Sequence, residues 1–198
     1  APENWTPEIY GSHPRELKEI IFESRKAMEK KLVDDRGINP KEAEKIAADH
    51  IKATFDIGHA NMWKQYFTGK DEDFKKWLLG QVKDLTDSGV LGHVHITDNF
   101  GYGDEHLSPG EGNAPVEEFM AHLKDIDFKG EIIAEPGGQG EGREHEAVLA
   151  GWRSARSPIY RIDSAQQSWT DIEGSYLSRM PSPRYMVGES AASFSKDW

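Results

Sequence analysis

An α/β fold, with parallel strands joined by helical crossovers, is predicted by two observations. Segments with apolar residues at helical spacing alternate along the chain with short, apolar, β-prone runs. Each short run also ends in histidine or carboxylate residues, so the polar chemistry collects at the same end of every predicted strand. A strand-helix-strand order of this kind is what parallel pairing requires, because the chain must return to the starting edge between strands.

Residues 14–31, PRELKEIIFESRKAMEKK, form the first predicted helix. Leu17, Ile20, Ile21, Ser24 and Met28 fall on one stripe, Pro14 suits the first turn and Ser12 is the expected N-cap. NPKEAEKIAADHI starts a second helix, with Asn39 as cap and Pro40 in the first position. KATFDIGHA is a short strand running into a loop. DEDFKKWLLGQVKDLTDSG is a third helix, with Phe74, Trp77, Leu78, Val82 and Leu85 inward and Gly89 as its stop. VLGHVHITDN is the second strand, APVEEFMAHLKDIDFKG the fourth helix, and EIIAEPGG a third strand that breaks at Pro136. REHEAVLAGWRSAR is a fifth helix. From Ser157 the chain turns to serine, proline and aromatics with weak periodicity. Residues 1–156 are therefore expected to belong to one domain, and 157–198 to be an irregular arm over that domain or over a partner subunit, the latter in a homo-oligomer.

The 198 residues are 36% hydrophobic and 30% charged, with a net charge of −11 and no cysteine. The absence of cysteine removes disulfides, thiolate metal sites and cysteine nucleophiles, and fits a reducing cytoplasm. The negative charge argues against nucleic acid as the main partner. No apolar run approaches the roughly 20 residues that a membrane span needs. APENWTPEIYG shows no basic segment followed by an apolar one, so a cytoplasmic location is the expectation.

The strand ends carry the chemistry. FDIGH places Asp56 and His59 at the end of the first strand. HVHITD places His93 and His95 on one face of the second, since alternate strand residues point the same way. IIAEPGG places Glu135 at the end of the third, and Glu3 in APENW reads as the close of an earlier strand. Carboxylate and imidazole donors without sulfur suit Mn²⁺, Mg²⁺, Co²⁺ or Zn²⁺. His93 is expected to support the site rather than act in it, and Asp98 to hold the loop. Asp104 and His106 divide evenly between loop structure and function. Trp5 and Trp63 suit either a sugar pocket or core packing. GGQGEG resembles a phosphate-cradling turn. His13, His50, His122 and His145, on or beside helices, are expected to face solvent.

FDIGHA, GHVHITDN, DEHLSPGEG and IIAEPGG, in that order, resemble the xylose isomerase-like TIM barrels, which include sugar phosphate isomerases and epimerases. The resemblance runs from about Glu3 to Gly138. It implies a (β/α)8 barrel of which this chain supplies about the C-terminal half, so the sequence is expected to be part of a longer protein. It makes Glu3, Asp56, His95 and Glu135 the ligands of a divalent metal, and Glu3 and Glu135 also the groups that exchange a carbon-bound proton. His59 and His106 become neighbours of the substrate or of a second metal, and Trp5, by its place after a strand end, is expected beside the substrate. The implied function is metal-dependent isomerisation or epimerisation of a sugar or sugar-like polyol through an enediolate. Two departures bear on substrate. Ketose epimerases of the family carry arginine where this chain has Gly101, and the related endonuclease IV-like nucleases carry arginine where it has Glu105. A phosphodiesterase acting on abasic DNA is the alternative activity, and a barrel remnant kept for binding or assembly the non-catalytic one.

Overall fold

The computed structural model describes residues 1–135 and residue 137. The predicted fifth helix, most of the GGQGEG run, the arm from Ser157 and the 156/157 boundary lie outside the described residues.

The described chain runs α1 (Pro14–Arg36), α2 (Pro40–His50), β1 (Ala53–Asp56), α3 (Ile57–Asn61), a 3₁₀ turn (Met62–Tyr66), α4 (Asp71–Asp87), β2 (Leu91–Ile96), α5 (Val116–Asp125) and β3 (Glu131–Ala134). The three strands pair in parallel in sequence order. Residues 2–4 add the start of a further parallel strand, since Glu3 bridges Thr54 and the Thr54 amide donates to the Pro2 carbonyl at 2.9 Å. The register sets Phe55 beside Val94, and Asp56 beside His95. Strand alternation then separates two faces. Phe55 and Val94 lie in a core with Leu17, Ile21, Phe74, Leu78, Val82 and Phe119, where the Phe55 and Phe119 rings meet edge to face. The opposite face carries Asp56 and His95.

Helix boundaries follow their caps. Asn39 Oδ1 accepts from the Lys41 amide at 3.0 Å, with Pro40 opening α2 as expected. α1 continues five residues past its expected end at residue 31 to Arg36 and stops where Gly37 adopts φ 66°, a left-handed C-cap. Its N-cap is His13, not Ser12: His13 Nδ1 accepts from the Arg15 amide, while Ser12 Oγ is buried without a hydrogen-bond partner. His13 also sits edge-on to Trp63 and Trp77, so it packs against aromatics instead of facing solvent. The segment after β1 is the helix α3 and not a loop.

The inward stripe of α1 contains a cation that periodicity does not reveal. Arg25 is 8% exposed and donates to the carbonyls of Ile51 (2.9 Å), Ala48 (3.4 Å) and Gly89 (3.0 Å). It thereby ties the end of α2 and the α4–β2 turn to α1, and supplies donors to carbonyls that a helix terminus leaves open. Arg25→Met keeps the bulk and removes every donor. The expected loss is about 2–3 kcal/mol of unfolding free energy, measured by denaturant titration.

Candidate metal centre and active site

The carboxylate of Asp56 organises the centre. As the N-cap of α3, its Oδ1 accepts from the amides of Gly58 (2.6 Å) and His59 (3.2 Å). A third donor, Thr97 Oγ1, arrives from the end of β2 at 2.6 Å. Asp56 itself is 0% exposed, and its second oxygen, Oδ2, is buried with no hydrogen-bond partner. Asn4 closes the other side, exchanging hydrogen bonds with the Asp56 backbone in both directions at 2.8 Å.

Around this carboxylate the strand ends converge. His95 Nδ1 lies 3.1 Å from Glu3 Oε1 and 3.3 Å from Glu135 Oε2. Asp56, His95 and Glu135 place one ligand-capable atom each within 4.8 Å of one another, and so do Glu3, Asp56 and His59. A third group, His59, Asp104 and His106, meets the same criterion. The structure thus brings together Glu3, Asp56, His59, His95, His106 and Glu135, and joins Asp104 to them.

The imidazoles are held by backbone. His59 Nδ1 is 2.8 Å from the Asn4 carbonyl and His106 Nδ1 is 2.9 Å from the Glu135 carbonyl. A carbonyl only accepts, so each Nδ1 carries a proton, and Nε2 is the atom from which the neutral form of each ring would offer a lone pair. Those two Nε2 atoms flank Asp104, at 3.4 Å for His59 and 3.2 Å for His106. An outer hydrogen bond that fixes tautomer and ring angle is the usual support of a ligating histidine. Burial works against charge on His106. The Glu135 carbonyl and the Asp104 and Asp56 carboxylates outweigh it, so the His106 pKa lies above the ordinary histidine value. Trp5 stacks on His59 with centroids 5.7 Å apart and remains about half exposed, a free aromatic face at the rim.

The loop after β2 is held from within. Asp98, 1% exposed, accepts from the amides of Asn99, Gly110, Gly112 and Ala114. Asn61 donates to the Asn99 and Asn113 side chains, and Asn99 Nδ2 donates to the Gly58 carbonyl, which locks α3 to this loop. His93 stands edge-on to His95, with ring centroids 4.7 Å apart. Gly101 has φ 88°, and a Cβ there would meet Lys64 at 3.0 Å, so this backbone accommodates no arginine side chain without rearrangement.

Asn4 and Thr97 escaped the sequence reading. A signal for Asn4 was present in its place directly after Glu3 at a strand end. Thr97 had none beyond a hydroxyl two residues after His95, because its partner is 41 residues away.

The xylose isomerase-like TIM barrel family matches residues 41–155. An uncharacterised protein of Methanocaldococcus jannaschii is 38% identical over 104 residues, which are 50% of this chain and 31% of that protein. The crystal structure of a D-tagatose 3-epimerase-like protein is similar at 29% identity with a TM-score of 0.48, covering 78% of this chain and 44% of that one. The chain spans less than half the length of both relatives.

Proposed function

The chain belongs to the xylose isomerase-like TIM-barrel family, and from that premise we propose that its protein is a divalent-metal-dependent isomerase or epimerase of a sugar or sugar-like polyol. The observation that carries this reading is the buried, partnerless Oδ2 of Asp56, facing a set of carboxylate and imidazole donors. A carboxylate oxygen withdrawn from water and left unpaired is costly, and a cation would offset that cost. The donor set fits Mn²⁺, Mg²⁺, Co²⁺ or Zn²⁺, with Glu3, Asp56, His95 and Glu135 as the residues that would hold it.

A cation bound there would supply Lewis-acid polarisation of a substrate carbonyl and its neighbouring hydroxyl. The protein's own groups do the rest. Glu3 and Glu135 both reach His95 Nδ1 from different strands, which suits two carboxylates that take and return one carbon-bound proton on a sugar. His59 and His106 form a polar wall, with ring orientation set by the Asn4 and Glu135 carbonyls, to receive substrate hydroxyls. Trp5 offers its exposed face to the sugar's C–H surface.

One observation favours a second reading. The His59, Asp104 and His106 group suits a further cation, as in a multinuclear phosphodiesterase acting on abasic DNA. The net charge of −11 opposes DNA binding. The separating experiment is metal analysis of the full-length protein with two assays: keto-sugars and inosose-type polyols in D₂O, and abasic-site DNA. The expected outcome is metal-dependent interconversion with solvent deuterium at the reacting carbon. Zinc occupancy with DNA cleavage and no sugar turnover would replace this reading by the nuclease.

A further inference from the structure

We propose that Thr97 is the positioning residue that makes Asp56 a one-oxygen ligand. This rests on the metal-site reading above and deepens it. An aspartate can turn either oxygen, or both, toward a cation. Here the choice is made before any cation arrives. Oδ1 takes three donors, from Gly58, His59 and Thr97, and Oδ2 takes none.

The two amide donors belong to α3 and would be satisfied by any N-capping aspartate. They hold Oδ1 from the helix side only. The Thr97 hydroxyl is the donor that comes from a different strand, and its 2.6 Å bond fixes the carboxylate plane against rotation about the Cβ–Cγ bond. Thr97 is 0% exposed, so no water competes for that hydroxyl. The glycine of the D-x-G-H stretch follows from the same contact. A Cβ on Gly58 would stand 2.1 Å from Thr97 Oγ1, so the threonine reaches Asp56 only across a glycine. Asp56, Gly58 and Thr97 therefore work as one unit, which leaves a single unpartnered carboxylate oxygen on a residue clustered with His95 and Glu135.

The test is calorimetric titration of Mn²⁺ into the full-length protein carrying Thr97→Val, Thr97→Ser or Asp56→Asn, with melting temperature recorded for each. Valine keeps the shape and removes the donor, whereas serine keeps the donor. Thr97→Val is expected to weaken Mn²⁺ binding about tenfold, the scale at which outer hydrogen bonds tune metal affinity, and to alter the visible spectrum of the Co²⁺ form. Thr97→Ser is expected to bind within about twofold of wild type. Should the valine methyl not be accommodated, Thr97→Ala carries the same comparison. Wild-type affinity in the donor-free variants, or serine binding as weakly as valine, would overturn the role of Thr97 while leaving the metal site standing. A wild-type protein that binds no Mn²⁺, or an Asp56→Asn variant that binds it normally, would overturn the metal reading itself.

Discussion

Glu135→Gln is expected to lower turnover at least about 10³-fold while leaving the protein folded. Glutamine keeps the length and shape of the side chain, so the backbone bonds of residue 135 survive: its amide to the Ile96 carbonyl and its carbonyl to His106 Nδ1. What disappears is the carboxylate 3.3 Å from His95 Nδ1, both as an anionic ligand and as a proton acceptor. Loss of a positioned general base alone costs about 10²–10⁴ in rate, and weaker metal retention adds to it. The check is kcat with the substrate that the D₂O screen returns, measured at saturating metal so that ligand and base effects separate, together with the melting temperature. Activity near wild type would remove Glu135 from the proton transfer. A collapsed melting temperature would make the residue structural.

Gly58→Ala is expected to have the largest combined effect on stability and site. The added Cβ would meet Thr97 Oγ1 at 2.1 Å, Thr97 Cβ at 3.1 Å and Asp56 Oδ1 at 3.2 Å. Gly58 lies in the first turn of a helix, where alanine is otherwise favoured, so the penalty is steric and not conformational. Both neighbours are fully buried and have nowhere to retreat, and the Thr97–Asp56 bond is the first casualty. Overpacking of this kind costs about 1–3 kcal/mol, and a displaced Asp56 is expected to reduce divalent-metal affinity up to about 100-fold. Denaturant unfolding and Mn²⁺ titration read the two effects separately. Pairing Gly58→Ala with Thr97→Ala is expected to recover part of the stability and none of the affinity. Wild-type behaviour of the single variant would mean that α3 and the end of β2 can move apart, contrary to the close packing observed.

The route from sequence to site was direct where residues act on near neighbours. Asn39 followed by Pro40 announces a helix start because cap and helix lie within a few residues of each other. The strand-end carboxylates and histidines are far apart in sequence, and only the resemblance carried by FDIGH, HVHITD and IIAEPGG in that order assigned them to one centre. Prediction failed where a neighbouring residue took the role assigned to Ser12. Ser12 and His13 both can cap a helix, and the choice went to the residue immediately before Pro14 whose ring nitrogen reaches the Arg15 amide. The D-I-G-H segment read as a loop because its helix is only five residues long and carries no apolar stripe of its own. It exists because Asp56 caps it and β2 lies alongside.

By itself the amino-acid sequence determined the alternation of strands and helices, the family, and the kinds of donor that gather at the strand ends, since periodicity, capping residues and motif order are local properties of the chain. Tertiary structure alone decided which atoms those donors present. The bare Oδ2 of Asp56 depends on a hydroxyl 41 residues away, and the direction in which His59 and His106 turn their Nε2 atoms depends on carbonyls of Asn4 and Glu135. Each of these contacts joins separate strands or loops, set by a register in which a shift of one residue would turn the donor to the opposite face.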